Sequence, residues 1–290
     1  MLSRSINFLL SGDAHAPYLV VALRSLRRHY RDRITAWAYP ESWETVKRIA
    51  ADPSLQVEAQ LWEPTYRGKN GQFSEKILMM QKSSTDLKMY LDADLIINGS
   101  LDPLFALAHD SGFVATQFCD WVTNTGTIKK RLSSLVGREG IDQAPLKDLL
   151  HKEYPSVNGG VFVCQKGTEI LPEWYEATKK VIDLFIADET VLHTYQNNRH
   201  GNFTVAGGGS WNCSPKYKPA YLADCDVRIW HGHGDSFVRQ NKSPVGVAMW
   251  MPEYQACLEE NTGNIQEWNA AAVQQNKHLK TLLETACPKQ

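Results

Sequence analysis

The sequence has no apolar run long enough to cross a bilayer. The stretch Ile6–Leu10 is too short for the core of a secretory leader and ends at Gly12-Asp13, so it reads as a first strand. A strong charge of one sign is also missing. With a net charge of −1 and a pI near 6.8 there is no overall field to gather nucleic acid or anionic lipid, and a nucleic-acid contact would need a local patch. Cysteine is sparse. Cys119, Cys164, Cys213, Cys225, Cys257 and Cys287 lack the paired close spacing of zinc sites and the density of a disulfide scaffold, which favours reduced thiols and a cytoplasmic location. Sequons at Asn98, Asn202 and Asn212 would matter only after secretion.

What is present is ordinary for a folded chain. The 290 residues are 43% hydrophobic and 22% charged, enough for one substantial core and unlike a disordered, collagenous or coiled-coil chain. Ile6–Leu10 is followed by an amphipathic stretch from Tyr18 to Tyr30, with Leu19, Ala22, Leu23 and Leu26 on one face. Ile34–Tyr39 reads as a strand, Trp43–Ala51 as a helix and Leu55–Trp62 as another extended segment. This alternation predicts an α/β fold with a mostly parallel central sheet flanked by helices. A polar loop carrying Arg67, Gly68, Lys69, Asn70 and Gly71 precedes a helix at Ser74–Gln81, with strand character again at Val161–Val163 and a helix over Pro172–Ile186. One domain over residues 1–260 is expected, with a polar, basic acceptor-side insertion at about 120–156 and a helical extension over 261–290.

The chemistry centres on Met89-Tyr90-Leu91-Asp92-Ala93-Asp94-Leu95-Ile96-Ile97. Apolar residues on both sides predict a single buried central strand, in which two carboxylates are costly unless a cation offsets their repulsion. Mg²⁺ or Mn²⁺ would do so while bridging phosphates. Asp-X-Asp alone is weak, because Asp224-Cys225-Asp226 repeats it. Either His231 or His233, in the small-residue loop Ile229-Trp230-His231-Gly232-His233-Gly234-Asp235, could complete a metal shell.

The longer run from Tyr90 to Phe105 resembles the metal-binding segment of family 8 glycosyltransferases, the glycogenin and lipopolysaccharide galactosyltransferase group. Val157-Asn158-Gly159-Gly160-Val161 resembles that family's Asn-(Ala/Ser)-Gly-Val element, and Asp188-Glu189-Thr190-Val191-Leu192 its Asp-Gln-X-X-Leu element. Trp211-Asn212 and His231-Gly232-His233-Gly234 match two later motifs in order. The resemblance spans about residues 5–240. It implies a GT-A (nucleotide-diphospho-sugar transferase) fold, a nucleoside-diphosphate sugar donor, usually UDP-linked, and Mn²⁺ (or Mg²⁺) held by Asp92, Asp94 and His231.

It further implies that Ser11, Gly12, Asp13 and Tyr18 lie near the nucleoside. Lys76, Ala93, Asn158, Gly159, Gly160 and Gly234 fall at donor-side positions, Asp188 is expected to hold sugar hydroxyls, and Glu189 and Asp188 are the catalytic candidates. Two departures stand out. Glu189 replaces the family's Gln, and the Lys-Pro-Trp that normally follows the histidine is missing, leaving Arg239 and Lys242 as cations for the leaving diphosphate. The resemblance implies retention of configuration, with a carboxylate beneath the anomeric carbon, whereas an Asp that activates the acceptor would imply inversion. Glu189 could instead cap a short helix around Val191 and Leu192.

A hydroxyl acceptor is expected, a glycan first. Lys129, Lys130, Arg131 and Arg138 could follow the phosphates of a modified-DNA acceptor, although a charge run is more often a solvated face. The competing readings are a nucleotidyltransferase or sugar pyrophosphorylase, disfavoured by Ser-Gly-Asp-Ala-His-Ala after the first strand, and a non-catalytic nucleotide-sugar-binding module, which a donor-hydrolysis assay separates.

Overall fold

The computed structural model describes residues 2–68, 70–118, 126–196, 202–216 and 227–286. In chain order the elements are β1 (Arg4–Leu10), α1 (Ala16–Arg27), β2 (Arg33–Ala38), α2 (Trp43–Ala50), β3 (Val57–Leu61), α3 (Gly71–Lys82), β4 (Leu87–Leu91) and β5 (Leu95–Ile97). Then follow α4 (Asp102–Ser111), β6 (Phe113–Gln117), α5 (Thr127–Ser133), α6 (Gln143–His151), β7 (Val157–Gln165), α7 (Ile170–Lys180), α8 (Ala187–Leu192), β8 (Phe203–Ala206) and α9 (Gly208–Trp211). β9 (Ile229–His231), α10 (Pro244–Glu259), α11 (Ile265–Gln275) and α12 (Lys277–Ala286) complete the set. The central sheet is seven-stranded and mostly parallel, in the order β3-β2-β1-β4-β7-β6-β8; β5 and β9 form a separate two-stranded sheet. Strand order reverses direction at β1, so the carboxyl ends of β1 and β4 mark a switch point where α/β sheets bind ligands.

The chain divides into two compact units, one of Met1–Ser5, Pro64–Tyr90 and Asp102–Asn212, the other of Ile6–Glu63, Leu91–Leu101 and Cys213–Gln290. In the first, aromatic side chains tie the strands together. Tyr90 stacks on Phe162 at 5.3 Å between centroids, Phe162 on Phe113 at 5.7 Å and Phe113 on Phe203 at 5.5 Å, with Trp174 edge-on to Phe162. This core buries β7 from Val157 to Cys164. The β6/β7 ladder is irregular. Ala115 pairs with Phe162 but Thr116 pairs with Asn158, so Gly159, Gly160 and Val161 form a bulge that re-aims the start of β7.

In the second unit, α1 buries Leu19, Val20, Leu23 and Leu26 completely and packs on β5, α10 and α11. A helix apolar on nearly every side belongs inside a core. Where α1 ends, the buried Arg27 guanidinium donates to the carbonyls of Leu55, Tyr30, Asp32 and Gln56, tying the helix terminus to the entry of β3. The C-terminal helices belong to this unit. Asn276, where the expected single helix breaks into α11 and α12, donates from Nδ2 to the Ala14 carbonyl at 2.9 Å and reaches the Tyr18 hydroxyl at 3.5 Å. Cys164, Cys213 and Cys257 are buried free thiols; Cys119, Cys225 and Cys287 lie outside the described residues. Among the described residues, no helix is long and apolar enough to cross a membrane.

The expectation of one long strand through Asp92 and Asp94 is corrected. β4 ends at Leu91, Asp92-Ala93-Asp94 turns, and β5 joins the other sheet, because its three apolar residues pair antiparallel with β9. The two aspartates are therefore half-buried at a strand end rather than inside a strand, each about a third exposed.

Candidate active site

The β5/β9 register builds the first cluster. Leu95 lies opposite His231, and the Gly232 N–H donates to the Asp94 carbonyl at 2.8 Å, so the imidazole stands beside the carboxylate that precedes β5. The Cys213 carbonyl accepts from the His231 N–H at 2.9 Å and holds β9 on its other side. The imidazole Nε2 lies 3.3 Å from Asp94 Oδ1 and 3.6 Å from Asp92 Oδ2, while His231 is only 3% exposed. One ligand atom from each of Asp92, Asp94 and His231 fits within a 4.8 Å circle, a set of two oxygens and one nitrogen that suits a divalent ion. Burial works against ionisation of Asp94, but the adjoining His231, its hydrogen bond, and the more distant His233 and His15 outweigh it. The carboxyl is held well below its ordinary range, and so is deprotonated as a ligand must be.

His233 is a separate neighbour. Its ring centroid is 3.6 Å from that of His231, and burial, with the charge of His231 adding, depresses its pKa well below the imidazole value. At the end of β1, Ser11 and Gly12 lead into a helical turn at Asp13–His15. Asp13 Oδ1 is buried without a hydrogen-bond partner. Nearby Tyr18 is raised far above its normal pKa by burial, against the hydrogen bond from Asn276. Arg239 is 4.0 Å from Asp235, which also lies 3.6 Å from His278; Lys242 is exposed and Gly234 is left-handed at φ 61°.

The second cluster lies in the other unit. Lys76 Nζ, on buried α3, is 2.6 Å from Asp188 Oδ2 on α8 and donates to the Gly159 carbonyl at 2.9 Å. Glycine at 159 leaves room for this pair, because a Cβ there would stand 2.6 Å from Asp188 Oδ2 and 3.2 Å from Lys76 Nζ and the carboxylate would have to shift. Where the resembled motif has Ala or Ser, this chain places an ion pair. Asp188 Oδ1, like Asp13 Oδ1, is a buried acceptor without a partner, whereas the Asp188 carbonyl accepts from Trp174 Nε1 at 2.8 Å. Among the described residues these two are the carboxylate oxygens in a longer set of buried side-chain atoms that find no hydrogen-bond partner.

Glu189 is 8% exposed, and each of its carboxylate oxygens is held by a side chain. Oε2 accepts from Asn158 Nδ2 at 2.7 Å and Oε1 from Arg131 Nη1 at 3.2 Å. Asn158 Oδ1 accepts from the Gly160 N–H at 2.8 Å and from Asn212 Nδ2 at 3.0 Å, and Asn212 Nδ2 also donates to Thr116 Oγ1 at 2.9 Å. Burial first, then the neighbouring charge of Asp188, push Glu189 up to about 7, against Arg131, the Asn158 hydrogen bond and Lys76. His193 hydrogen-bonds to the Glu189 carbonyl through Nδ1 at 2.7 Å, and burial lowers its pKa to about 4.

Three of these partners were not among the expected site residues. Asn212 and Thr116 complete the polar network, and only Asn212, in its Trp-Asn pair, carried a signal. Arg131 belonged to a basic run, yet it pairs with Glu189, and Arg138 pairs with Asp183 at 2.9 Å, so neither arginine simply faces solvent. Asp224-Cys225-Asp226 lies outside the described residues.

No family model and no curated protein matches this sequence. Solved structures do. The galactosyltransferase LgtC, in complex with donor and acceptor sugar analogues, is 16% identical with a TM-score of 0.59 over 87% of this chain and 95% of its own. An active-site Gln-to-Glu mutant of LgtC is 14% identical with a TM-score of 0.57 over the same shares. The glycosyltransferase GlyE of Streptococcus pneumoniae is 14% identical with a TM-score of 0.54 over 90% of this chain and 64% of its own. These likenesses establish the class of fold: this chain has the GT-A architecture of the family 8-like galactosyltransferase. At such identities the likeness speaks for the fold, and the chemistry has to be argued from the residues.

Proposed function

We propose that the protein is a metal-dependent glycosyltransferase that moves a sugar from a nucleoside-diphosphate donor, UDP-linked by resemblance, to a hydroxyl acceptor with retention of configuration. The observation that carries this reading is the convergence of Asp92, Asp94 and His231 at the carboxyl end of β4. A Mn²⁺ or Mg²⁺ ion held there would neutralise the diphosphate as it leaves. The orphaned Asp13 Oδ1 suits an N–H of the nucleobase, at the turn after β1 where the resemblance expects the nucleoside. The orphaned Asp188 Oδ1 suits a sugar hydroxyl, with Lys76 fixing its other oxygen.

Glu189 supplies a carboxylate to stabilise positive charge at the anomeric carbon, or to attack it. An active-site Gln-to-Glu mutant of LgtC is among the similar structures, and in this chain Glu189 stands where the resembled Asp-Gln motif has Gln. Arg239 and Lys242 remain the cations for the departing diphosphate, and a glycan is the favoured acceptor over modified DNA.

The test is donor hydrolysis across a panel of nucleotide sugars with Mn²⁺, Mg²⁺ or chelator. Metal-dependent release of free sugar from a UDP-linked donor supports the reading. Full release in chelator rejects the metal, and release from none of the donors at any metal concentration rejects the transferase.

A further inference from the structure

Arg131 is the one cation that touches Glu189 from outside the Asp188–Lys76 pair among the described residues. Its seat has two walls. On one side Nη1 donates to Glu189 Oε1 at 3.2 Å; on the other the guanidinium carbon lies 5.9 Å from the ring centre of Phe185. Phe185 is 67% exposed, an unusual place for a large aromatic, and it is braced edge-on by Phe73 at 6.4 Å.

The turn that presents it is also unusual. Ile186, a β-branched residue, adopts φ 56°, a left-handed conformation that such side chains rarely tolerate. Asn70 Nδ2 holds the preceding turn by donating to the carbonyls of Ile182 and Leu184, and the Ile186 carbonyl accepts from the Thr190 N–H and hydroxyl. One strained turn therefore places Phe185 outward against the guanidinium and Glu189 inward against Asn158. Among the described residues, the titratable and charged groups around Glu189 are Asp188 and His193 from its own chain segment, Lys76 from α3 and Arg131 from α5. Among the described residues, Arg131 is the one of these that comes from the basic segment between β6 and β7.

We propose that Arg131 is a positioning residue, clamped between Phe185 and Glu189, that keeps the Glu189 carboxylate ionised and aligned on Asn158, so that the α5 segment controls how much of the protein is competent for transfer near neutral pH. The proposal rests on Glu189 being the anionic group of the reaction. The sign follows from the charges. Glu189 loses its proton with a midpoint of about 7, and a neighbouring cation lowers that midpoint. Removing the cation raises it, and the acid limb of the rate profile moves to higher pH.

The experiment measures kcat and donor KM from pH 6 to 9 for the wild type, Arg131→Ala, Arg131→Lys, Phe185→Ala and Glu189→Gln, together with a ¹³C-carboxyl NMR titration of Glu189, assigned by the signal missing in Glu189→Gln. Arg131→Ala should raise the kinetic and NMR midpoints by about one unit, the low end for an opposite charge because Arg131 is partly exposed. At pH 7 that leaves about a tenth of the carboxyl ionised instead of a half, so kcat falls about fivefold and recovers by pH 9 with donor KM unchanged. Arg131→Lys should move the midpoint less, and Phe185→Ala should move it in the same direction as Arg131→Ala.

An unmoved NMR midpoint in Arg131→Ala, or a loss of kcat equal at every pH, overturns the proposal. If Glu189→Gln turns over like the wild type, it is the catalytic reading of Glu189 that fails. If Glu189→Gln is crippled while Arg131→Ala leaves the acid limb in place, only the role of Arg131 falls.

Discussion

Glu189→Gln should slow the reaction and stabilise the fold at the same time, and the stabilisation should depend on pH. The wild-type carboxyl titrates at about 7 in the folded protein against 4.5 for the free side chain. A raised pKa means that the folded state favours the protonated form. Its contribution to stability is fully present below 4.5 and is lost as pH rises through 7. A shift of that size is worth at most ~3 kcal/mol of strain at pH 8, where the carboxylate is charged and only partly compensated.

A glutamine escapes that strain but meets another. Asn158 cannot turn its amide, because Oδ1 is occupied by the Gly160 N–H and Asn212. The new Gln oxygen must therefore accept from Asn158, leaving its NH₂ against the Arg131 donor at a cost of ~1 kcal/mol. The net effect is a gain of ~1–2 kcal/mol at pH 8 and a loss of ~1 kcal/mol at pH 4.5. At ~2 °C per kcal/mol for a chain of this length, Tm should rise by about 2–4 °C at pH 8 and fall by about 2 °C at pH 4.5. Paired thermal scans decide it. A shift of the same sign and size at both pH values would refute the reasoning, because only a well-compensated Glu189 carboxylate would titrate alike in both states. In parallel, turnover should fall by about a hundredfold with donor affinity kept.

Gly159→Ala should force Asp188 away from Lys76 and weaken donor affinity by about tenfold, measured by titration calorimetry; unchanged affinity would mean that the ion pair does not set the pocket. Arg27→Met should cost ~2–4 kcal/mol, because four carbonyl acceptors lose their donor, with a Tm lower by about 4–8 °C and turnover at 25 °C retained. His231→Ala should abolish the metal-dependent part of donor binding and His233→Ala should leave most of it, since only His231 stands within 3.6 Å of both aspartates; equal effects would undo the assignment.

The βαβ opening was legible because the short apolar run Ile6–Leu10 stops at Ser11-Gly12-Asp13 and is followed by Leu19, Ala22, Leu23 and Leu26 at helical spacing. Asp92 and Asp94 were legible because acids rarely follow a run like Met89-Tyr90-Leu91. That the run divides between two sheets was not. The three residues of β5 are as apolar as those of β4, and only their pairing with residues 229–231 separates them. Glu189 and Asn158 could be named from ordered motifs, but the partner that completes them could not. Arg131 lies in a stretch whose composition reads as solvated surface, and the Phe185 and Glu189 that it meets flank a left-handed isoleucine that no propensity favours. The ion pair of Lys76 with Asp188 was hidden for a similar reason, since the space for it is made by the missing Cβ of Gly159.

The central claim is that Asp92, Asp94 and His231 together hold a divalent ion for the donor diphosphate. Titrating Mn²⁺ into the protein with and without UDP, with free Mn²⁺ followed by electron paramagnetic resonance, tests it most directly. One site per chain is expected, which tightens when UDP is added and disappears in both Asp92→Asn and Asp94→Asn while far-UV circular dichroism is unchanged. Mn²⁺ binding that survives both substitutions, or no Mn²⁺ binding in the presence of UDP, would contradict it.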